Sequence, residues 1–333
     1  MLKIGVIGYG YWGPNIVRNF AGHDDCRVVA VCDKNPAALA RAAGKHHDLQ
    51  VTTDVDDILL SPDIDAVAIV TPVSYHYELA RRALENGKHV FVEKPFTATS
   101  AQAEDLIEAA ACRNLQIMVD HTFLFTGAVR KIKQIIDEGI LGPLYYYDST
   151  RVNLGLFQHD VNVLWDLAPH DLAIMDYLLG LEPELVVATG GAHVNNLENI
   201  AYLTVYFPNN VLAHINVNWL SPVKVRTTLV GGQKKMLMWN DLDPAEKLRV
   251  YDKGADLKTD QGVHQALVSY RTGDMWAPKV EELEALQLET RYFLDCVKEG
   301  VKPFNDGHAG LRVVKILEAA EQSMKQHKEV AYA

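Results

Sequence analysis

Two short segments about eighty residues apart carry side chains that hydride chemistry needs. Gly8-Tyr9-Gly10-Tyr11-Trp12-Gly13 directly follows an apolar run, and Glu93-Lys94-Pro95 closes another. A glycine loop between a strand and a helix can hold a dinucleotide pyrophosphate against the helix N-terminus. A lysine at a strand's C-terminal end can reach a substrate lying over that dinucleotide. Together the two segments point to an enzyme that moves a hydride.

The glycine loop has the required context. Leu2, Ile4, Val6 and Ile7 form a β-prone run, Pro14 suits a first helical turn, and Ile16, Val17 and Phe20 have helical spacing. Gly8 permits the tight turn, Gly10 lets the backbone approach the phosphates, and Gly13 lets the helix pack on the strand. Tyr11 and Trp12, inside the loop, join the candidate cofactor contacts. The next strand, Val28 to Cys32, ends at Asp33, twenty positions after Gly13. A carboxylate there accepts from ribose hydroxyls and repels a 2′-phosphate, which favours NAD over NADP. The competing reading is a glycine-rich turn in an unrelated sheet, with Asp33 capping a loop.

A second pair follows, Asp166 and His170 in Asp166-Leu167-Ala168-Pro169-His170. Spacing of four puts both on one side of a helix. Asp166 is expected to cap that helix with Pro169 in its first turn, and Gly180 to end it. Taken alone, Asp166 could be only a cap and His170 a structural histidine. Removing hydride from a secondary alcohol carbon also requires loss of the hydroxyl proton, so a base must lie within hydrogen-bond reach. Histidine titrates near neutrality and suits that task. A cationic Lys94 can stabilise the developing alkoxide.

The chain must supply elements that carry these groups. Its 333 residues suffice for two domains. Residues 1–123 alternate strands and helices, as in an α/β Rossmann domain with a doubly wound parallel sheet and ligands at the strand C-termini. From about 124 to 333, strand candidates follow one another with few helices. Asn209-Asn210 and Gly231-Gly232 are turn signals among them. This half reads as an α+β domain with a large, mostly antiparallel open sheet that binds substrate and mediates oligomerisation. Asp252 to Pro278 reads as a long irregular excursion, and two closing helices follow, able to pack back on the first domain.

Composition narrows the function classes. Lys and Arg total 32 against 43 Asp and Glu, a net charge of −11 that argues against nucleic acid as a partner. Cys26, Cys32, Cys112 and Cys296 lack metal-ligand spacing and suit a reducing compartment. No apolar run approaches a membrane span, and the first residues already read as a strand, so a cytoplasmic protein is expected.

Thr71-Pro72-Val73-Ser74-Tyr75-His76, then Gly87-Lys88-His89-Val90 and Glu93-Lys94-Pro95, resemble the Gfo/Idh/MocA oxidoreductases, over essentially the whole chain. The resemblance implies NAD as cofactor, catalysis by Lys94 and His170 with Asp166 beside them, and cofactor-side roles for Thr71, Pro72, His76 and Glu93. It implies a homodimer or homotetramer through the second-domain sheet, with Tyr202, Val205, His214 and Asn216 among interface positions. It also implies a sugar or sugar-nucleotide substrate. Arg151, Asn153, His159 and Asn162 are the candidate substrate contacts, with Lys224 and Arg226 weaker ones. The stretch Asp160 to Asp166 resembles members acting on nucleotide-linked amino sugars, which points to C3 of a UDP-linked hexose. The alternatives are a cyclitol or free-aldose dehydrogenase, an NAD-dependent glycosidase, and a non-catalytic NAD-binding regulator. This chain departs from the family pattern at Pro169, often glycine, and at Asp120-His121-Thr122-Phe123, where many members carry an arginine-aromatic pair.

Overall fold

The computed structural model describes all residues except His47, Leu156, Asn195, 259–266 and Ala333. The chain divides into two compact units, Met1–Phe125 with Leu283–Lys315 and Thr126–Glu282 with Ile316–Ala333.

The first unit runs β1 (Leu2–Ile7), α1 (Gly13–Ala21), β2 (Cys26–Cys32), α2 (Pro36–Lys45), β3 (Gln50–Thr52), α3 (Asp56–Leu59), β4 (Ala66–Ile69), α4 (His76–Glu85), β5 (His89–Glu93), α5 (Ser100–Ala111) and β6 (Ile117–Asp120). The strands form one parallel sheet in the order β3-β2-β1-β4-β5-β6. That order reverses direction between β1 and β4, which opens a crevice at the strand C-termini. Helices on both faces explain why β4 and β6 are buried at every position.

The second unit runs α6 (Gly127–Asp137), β7 (Leu144–Leu154), α7 (Val163–Leu179), β8 (Leu185–Gly191), β9 (Ile200–Tyr206), β10 (Leu212–Asn218), β11 (Leu220–Gly232), β12 (Met236–Asn240), β13 (Leu248–Lys258) and β14 (Leu267–Trp276). Then α8 (Ala285–Glu299) belongs to the first unit, α9 (Gly307–Gln326) contributes residues to both, and β15 (Val330–Ala331) closes the second. Nine strands pair in the order β14-β13-β12-β11-β7-β10-β9-β8-β15, antiparallel except for β7 beside β10.

Alternation sorts the two faces of this sheet. Ala201, Leu203 and Val205 of β9 and Ala213, Ile215 and Val217 of β10 are buried on the face that α7 covers. Tyr202, Tyr206, His214 and Asn216 lie on the other, where Tyr202 stacks on His214 with ring centroids 6.5 Å apart. Val205 therefore belongs to the core, not to an outward interface.

Three expectations change. The stretch from Asp252 to Pro278 is not an irregular excursion, because β13 and β14 form an antiparallel hairpin extending the sheet. Its polarity and its glycines 254 and 273 reflect an edge hairpin, and Gly262 lies outside the described residues. Helix α7 begins earlier than expected: Asn162, not Asp166, is its N-cap, with Oδ1 accepting from Trp165 N–H at 3.1 Å. Pro169 consequently lies inside the helix, not in its first turn. Gly180 ends α7 in the left-handed region, φ 60°.

Candidate active site

The cofactor half of the site is built by the glycine loop. Gly8 sits at φ +102°, and a Cβ there would lie 2.3 Å from the Val70 carbonyl oxygen. A Cβ on Gly13 would lie 2.5 Å from the Gly8 carbonyl oxygen. Those two glycines are demanded by the chain's own backbone. Gly10 differs, for a Cβ there would meet nothing within 4 Å. Its missing side chain serves no contact in the protein and leaves room for a group that approaches the loop. Beside the loop lies a cleft of about 340 Å³, lined by Gly8, Gly10, Asp33, Thr71, Pro72 and Tyr75 among others. It opens at the ends of β1, β2 and β4, where a dinucleotide belongs in this topology. These residues fit NAD.

Asp33 is oriented by backbone: Oδ2 accepts from Tyr9 N–H at 2.6 Å and Oδ1 from Asn35 N–H at 2.7 Å. Lys34 Nζ sits 5.0 Å from the Tyr75 ring centroid, and both residues line the cleft, as do Glu78 and Arg82. Tyr11 is 92% exposed and stacks on Trp12, whose indole Nε1–H donates to Asp120 Oδ2 at 3.3 Å.

Lys94 follows the last residue of β5. His76 is fully buried, with Nδ1 2.9 Å from the Pro95 carbonyl oxygen and Nε2 2.8 Å from that of Thr71. It joins the loop that lines the cleft to the loop that carries Lys94. Its expected cofactor contact is replaced by a bracing role, because no part of the ring is exposed. Burial pushes its pKa below the ordinary histidine value, against the pull of the Thr71, Pro95 and Phe96 carbonyls. Glu93 Oε2 accepts from the Lys94 backbone N–H at 3.2 Å. Glu93 thus supports the backbone of the lysine loop.

Three carboxyl groups meet under that loop. Glu93 and Asp120 are register partners on β5 and β6, and Glu289 arrives from α8. Helix α8 is held there by Phe293, packed edge-to-face against Phe20 and Phe91 at 6.0 and 5.6 Å. Asp120 Oδ1 accepts from Thr122 N–H at 3.2 Å and from the Thr122 hydroxyl. Burial, then the Asp120 charge, push Glu93 and Glu289 well above the usual carboxylate range. His121 follows Asp120 and is 2% exposed, with neither ring nitrogen hydrogen-bonded. Burial, then the Lys94 charge, push its pKa down to about 3.

The second unit carries Asp166 and His170 one turn apart on α7. Trp219 Nε1–H donates to Asp166 Oδ2 at 3.2 Å. The helix is clamped next to His170: Asp171 Oδ2 accepts from Arg151 Nε at 2.6 Å and Oδ1 from Ser149 Oγ at 2.7 Å, while Tyr147 Oη donates to the Asp171 carbonyl at 3.3 Å. Tyr147, Ser149 and Arg151 alternate on β7 and so face α7 together. Arg151 is therefore a structural cation, not the diphosphate contact expected from sequence. Asn162, an expected substrate contact, is occupied as well. It caps α7 and donates from Nδ2 to Glu198 Oε2 at 2.9 Å. Asn153, near the end of β7, is half-buried, and His159, between β7 and α7, is exposed. Lys224 is exposed, and Arg226 pairs with Asp241 at 3.5 Å.

Sequence reasoning missed Asp171 and Glu289. Asp171 carried a signal, an acid in the midst of the most apolar helix. Glu289 did not, because its sequence spacing to Asp120 says nothing until α8 folds back onto the first sheet.

A parallel sheet of this strand order, a glycine loop with an open Gly10, and a lysine at the end of β5 define a nicotinamide-dependent oxidoreductase. Residues 2–121 match the family model described as an oxidoreductase family with an NAD-binding Rossmann fold, and residues 129–238 match the GFO/IDH/MocA C-terminal domain. The chain belongs to the GFO/IDH/MocA oxidoreductase family. It is 27% identical over 314 residues to UDP-N-acetylglucosamine 3-dehydrogenase of Acidithiobacillus ferrooxidans, covering 94% of each chain. It is 24% identical to inositol 2-dehydrogenase of Rhizobium meliloti, covering 100% of this chain and 99% of that one. An uncharacterized oxidoreductase of Streptococcus pneumoniae is 26% identical, with 61% of its length covered. Among solved structures, levoglucosan dehydrogenase in complex with NADH superposes with a TM-score of 0.84 at 21% identity, over 100% and 99% of the two chains. No helix among the described residues is long and apolar enough to cross a membrane.

Proposed function

We propose that this oxidoreductase transfers a hydride between NAD and a ring secondary alcohol or ketone of a sugar or polyol, and that its own substrate is a UDP-linked hexose reacting at C3. NAD bound along the glycine loop, Asp33, Thr71 and Pro72 supplies the hydride acceptor. His170 takes the hydroxyl proton as general base. Lys94 offers an ammonium to the developing alkoxide. Asp166, oriented by Trp219, holds a neighbouring hydroxyl and the imidazole. Asn153 at the end of β7 and His159 in the connection to α7 are the remaining substrate contacts, and Lys224 takes over from Arg151 as the cation for a diphosphate.

The observation that carries the UDP-hexose reading is the match to a UDP-N-acetylglucosamine dehydrogenase across 94% of both chains. The test is NADH formation from a panel of UDP-sugars, free sugars and inositols. UDP-sugars should be turned over far better than the matching free sugars, and Lys224→Ala should raise KM for the UDP-linked form alone. Activity confined to free sugars or inositols would overturn it.

One observation favours the second reading, a cyclitol or free-aldose dehydrogenase. Arg151, the cation expected to meet a diphosphate, is committed to Asp171. The same panel separates the two.

The protein is further proposed to be a cytoplasmic homodimer or homotetramer. The sheet face bearing Tyr202, His214 and Asn216, which α7 leaves uncovered, is its contact surface. The four cysteines are free. Light scattering at micromolar concentration should report at least a dimer.

A further inference from the structure

The three carboxyl groups under the Lys94 loop pose a charge problem. Asp120 is 2% exposed and Glu289 is fully buried. Three negative charges in one buried volume are not tolerable against a single nearby ammonium. Glu93 Oε1 and Glu289 Oε2 are buried, and no N–H or O–H group donates to either. The group each residue faces is the Asp120 carboxyl, within hydrogen-bonding reach. Two carboxyl groups can hydrogen-bond only if one of them keeps its proton. Asp120 is the acid with two N–H donors of its own, from the Trp12 indole and the Thr122 backbone, while the single Thr122 hydroxyl proton lies between Asp120 and Glu289.

We infer that Glu93, Asp120 and Glu289 form one buried unit of three carboxyls, two protons and a single negative charge on Asp120, and that Glu289 is a positioning residue for the site. Glu93 and Glu289 each donate an O–H to Asp120. The unit ties three segments together. Asp120 holds Trp12 of the glycine loop, Glu93 holds the Lys94 backbone N–H, and Glu289 fixes both from α8. Among the described residues, the titratable and polar groups that face it are Lys94 after β5, His121 and Thr122 after β6, Trp12 before α1, and Asn305 before α9. Asn305 Nδ2 donates to the Val119 carbonyl at 2.8 Å and to Glu289 Oε1 at 3.3 Å, which fills the other glutamate oxygen and leaves Oε2 for the proton. The net balance is Lys94 cationic against Asp120 anionic, with His121 neutral between neighbours of opposite sign.

The functional part rests on Lys94 being the catalytic lysine proposed above; the protonation part does not. The first experiment therefore needs no substrate. At neutral pH ordinary carboxyls are ionised, so a protonated carboxyl carbonyl stretch in the infrared spectrum of the unmodified protein reports buried acids. Carbon-13 labelling of glutamate side chains should shift that band, and labelling of aspartate should leave it in place. Glu289→Gln and Glu93→Gln should each remove part of it. Absence of the band, or its response to the aspartate label, overturns the inference.

The second experiment tests positioning. Glu289→Ala should weaken NAD binding, followed by cofactor fluorescence, and lower kcat by up to about 10²-fold, as expected from misplacement of a catalytic group. Glu289→Gln, which mimics the protonated acid, should restore both. Equal behaviour of the Ala and Gln variants would overturn the positioning role. If Lys94→Ala instead retained turnover, the catalytic reading would fail while the infrared bands stood unchanged.

Discussion

Arg151 and Asp171 form a buried ion pair, Nε to Oδ2 at 2.6 Å, with the side chains 6% and 2% exposed. The pair locks β7 to α7 one residue past His170. Such a pair is costly to break from one side, because the survivor is left as an unpaired buried charge. Arg151→Ala should therefore destabilise the fold by about 3–5 kcal/mol, read as a lower denaturant midpoint. A substrate-contacting arginine would instead change KM and leave the midpoint alone.

The three loop glycines should separate by readout. Gly13→Ala places a methyl 2.5 Å from the Gly8 carbonyl, so unfolding should come at lower temperature. Gly10→Ala meets nothing within 4 Å in the protein. Its melting temperature should be that of the unmodified chain, while NAD titration should show weaker binding. Undiminished NAD affinity would mean that the cofactor does not approach Gly10.

Asp33 has two tasks, and two substitutions part them. Its carboxylate holds Tyr9 and Asn35 N–H, and hydrogen bonds to a charged group are worth about 1.5–3 kcal/mol each. Asp33→Ala should lose stability as well as NAD affinity. Asp33→Asn, which keeps one acceptor oxygen, should lose less stability yet still narrow the gap between NAD and NADP. Tighter NADP than NAD binding by the unmodified protein would reverse the assignment.

The parts of the fold that short-range pattern determines were legible from sequence. Gly8, Gly10 and Gly13 between an apolar run and a helical period place a strand, a turn and a helix, and Asp33 ends the next strand. Alternation in β9 and β10 likewise gives a sheet. Two misreadings have one origin, a polar residue assigned by local context. Asn162 and Arg151 looked available because their partners, Glu198 and Asp171, lie 36 and 20 positions away. Burial and pairing at that separation are tertiary properties. The hairpin of β13 and β14 was missed for a related reason, since an edge hairpin needs no strong hydrophobic alternation.

Acid stability should report His121. Its pKa falls from 6.5 to about 3 on burial, so the folded protein holds the ring neutral. The stability it contributes is present above pH 6.5 and is lost as pH falls toward 3. One proton of linkage is worth up to about 1.4 kcal/mol per pH unit. His121→Leu should flatten this acid limb by up to that slope, measured by urea unfolding between pH 6 and 4. His76, also depressed by burial, leaves a residual slope. The carboxyl unit acts with the opposite sign. Glu93 and Glu289 are raised, so their contribution is fully present below the ordinary glutamate pKa and is lost as pH rises from there through their elevated values.

Catalysis gives the last prediction. Lys94 is held by contacts within the first unit and His170 by contacts within the second. Lys94 leaves β5 between the Glu93 brace and the His76 clamp, both of which act on loop backbone and survive loss of the lysine side chain. His170 projects from a helix fixed by the Arg151–Asp171 pair and the Asn162 cap, neither of which involves the imidazole. Lys94→Ala and His170→Ala should therefore fold and bind NAD. Each should lower turnover by about 10²–10⁴-fold, the usual contribution of a proton-transfer group. A true base also leaves its mark in the pH profile. Turnover of the unmodified protein in the oxidative direction should rise with pH through one ionisation, and His170→Ala should lack that rise. Near-normal turnover of either variant on a substrate from the sugar panel would exclude that residue from the chemistry.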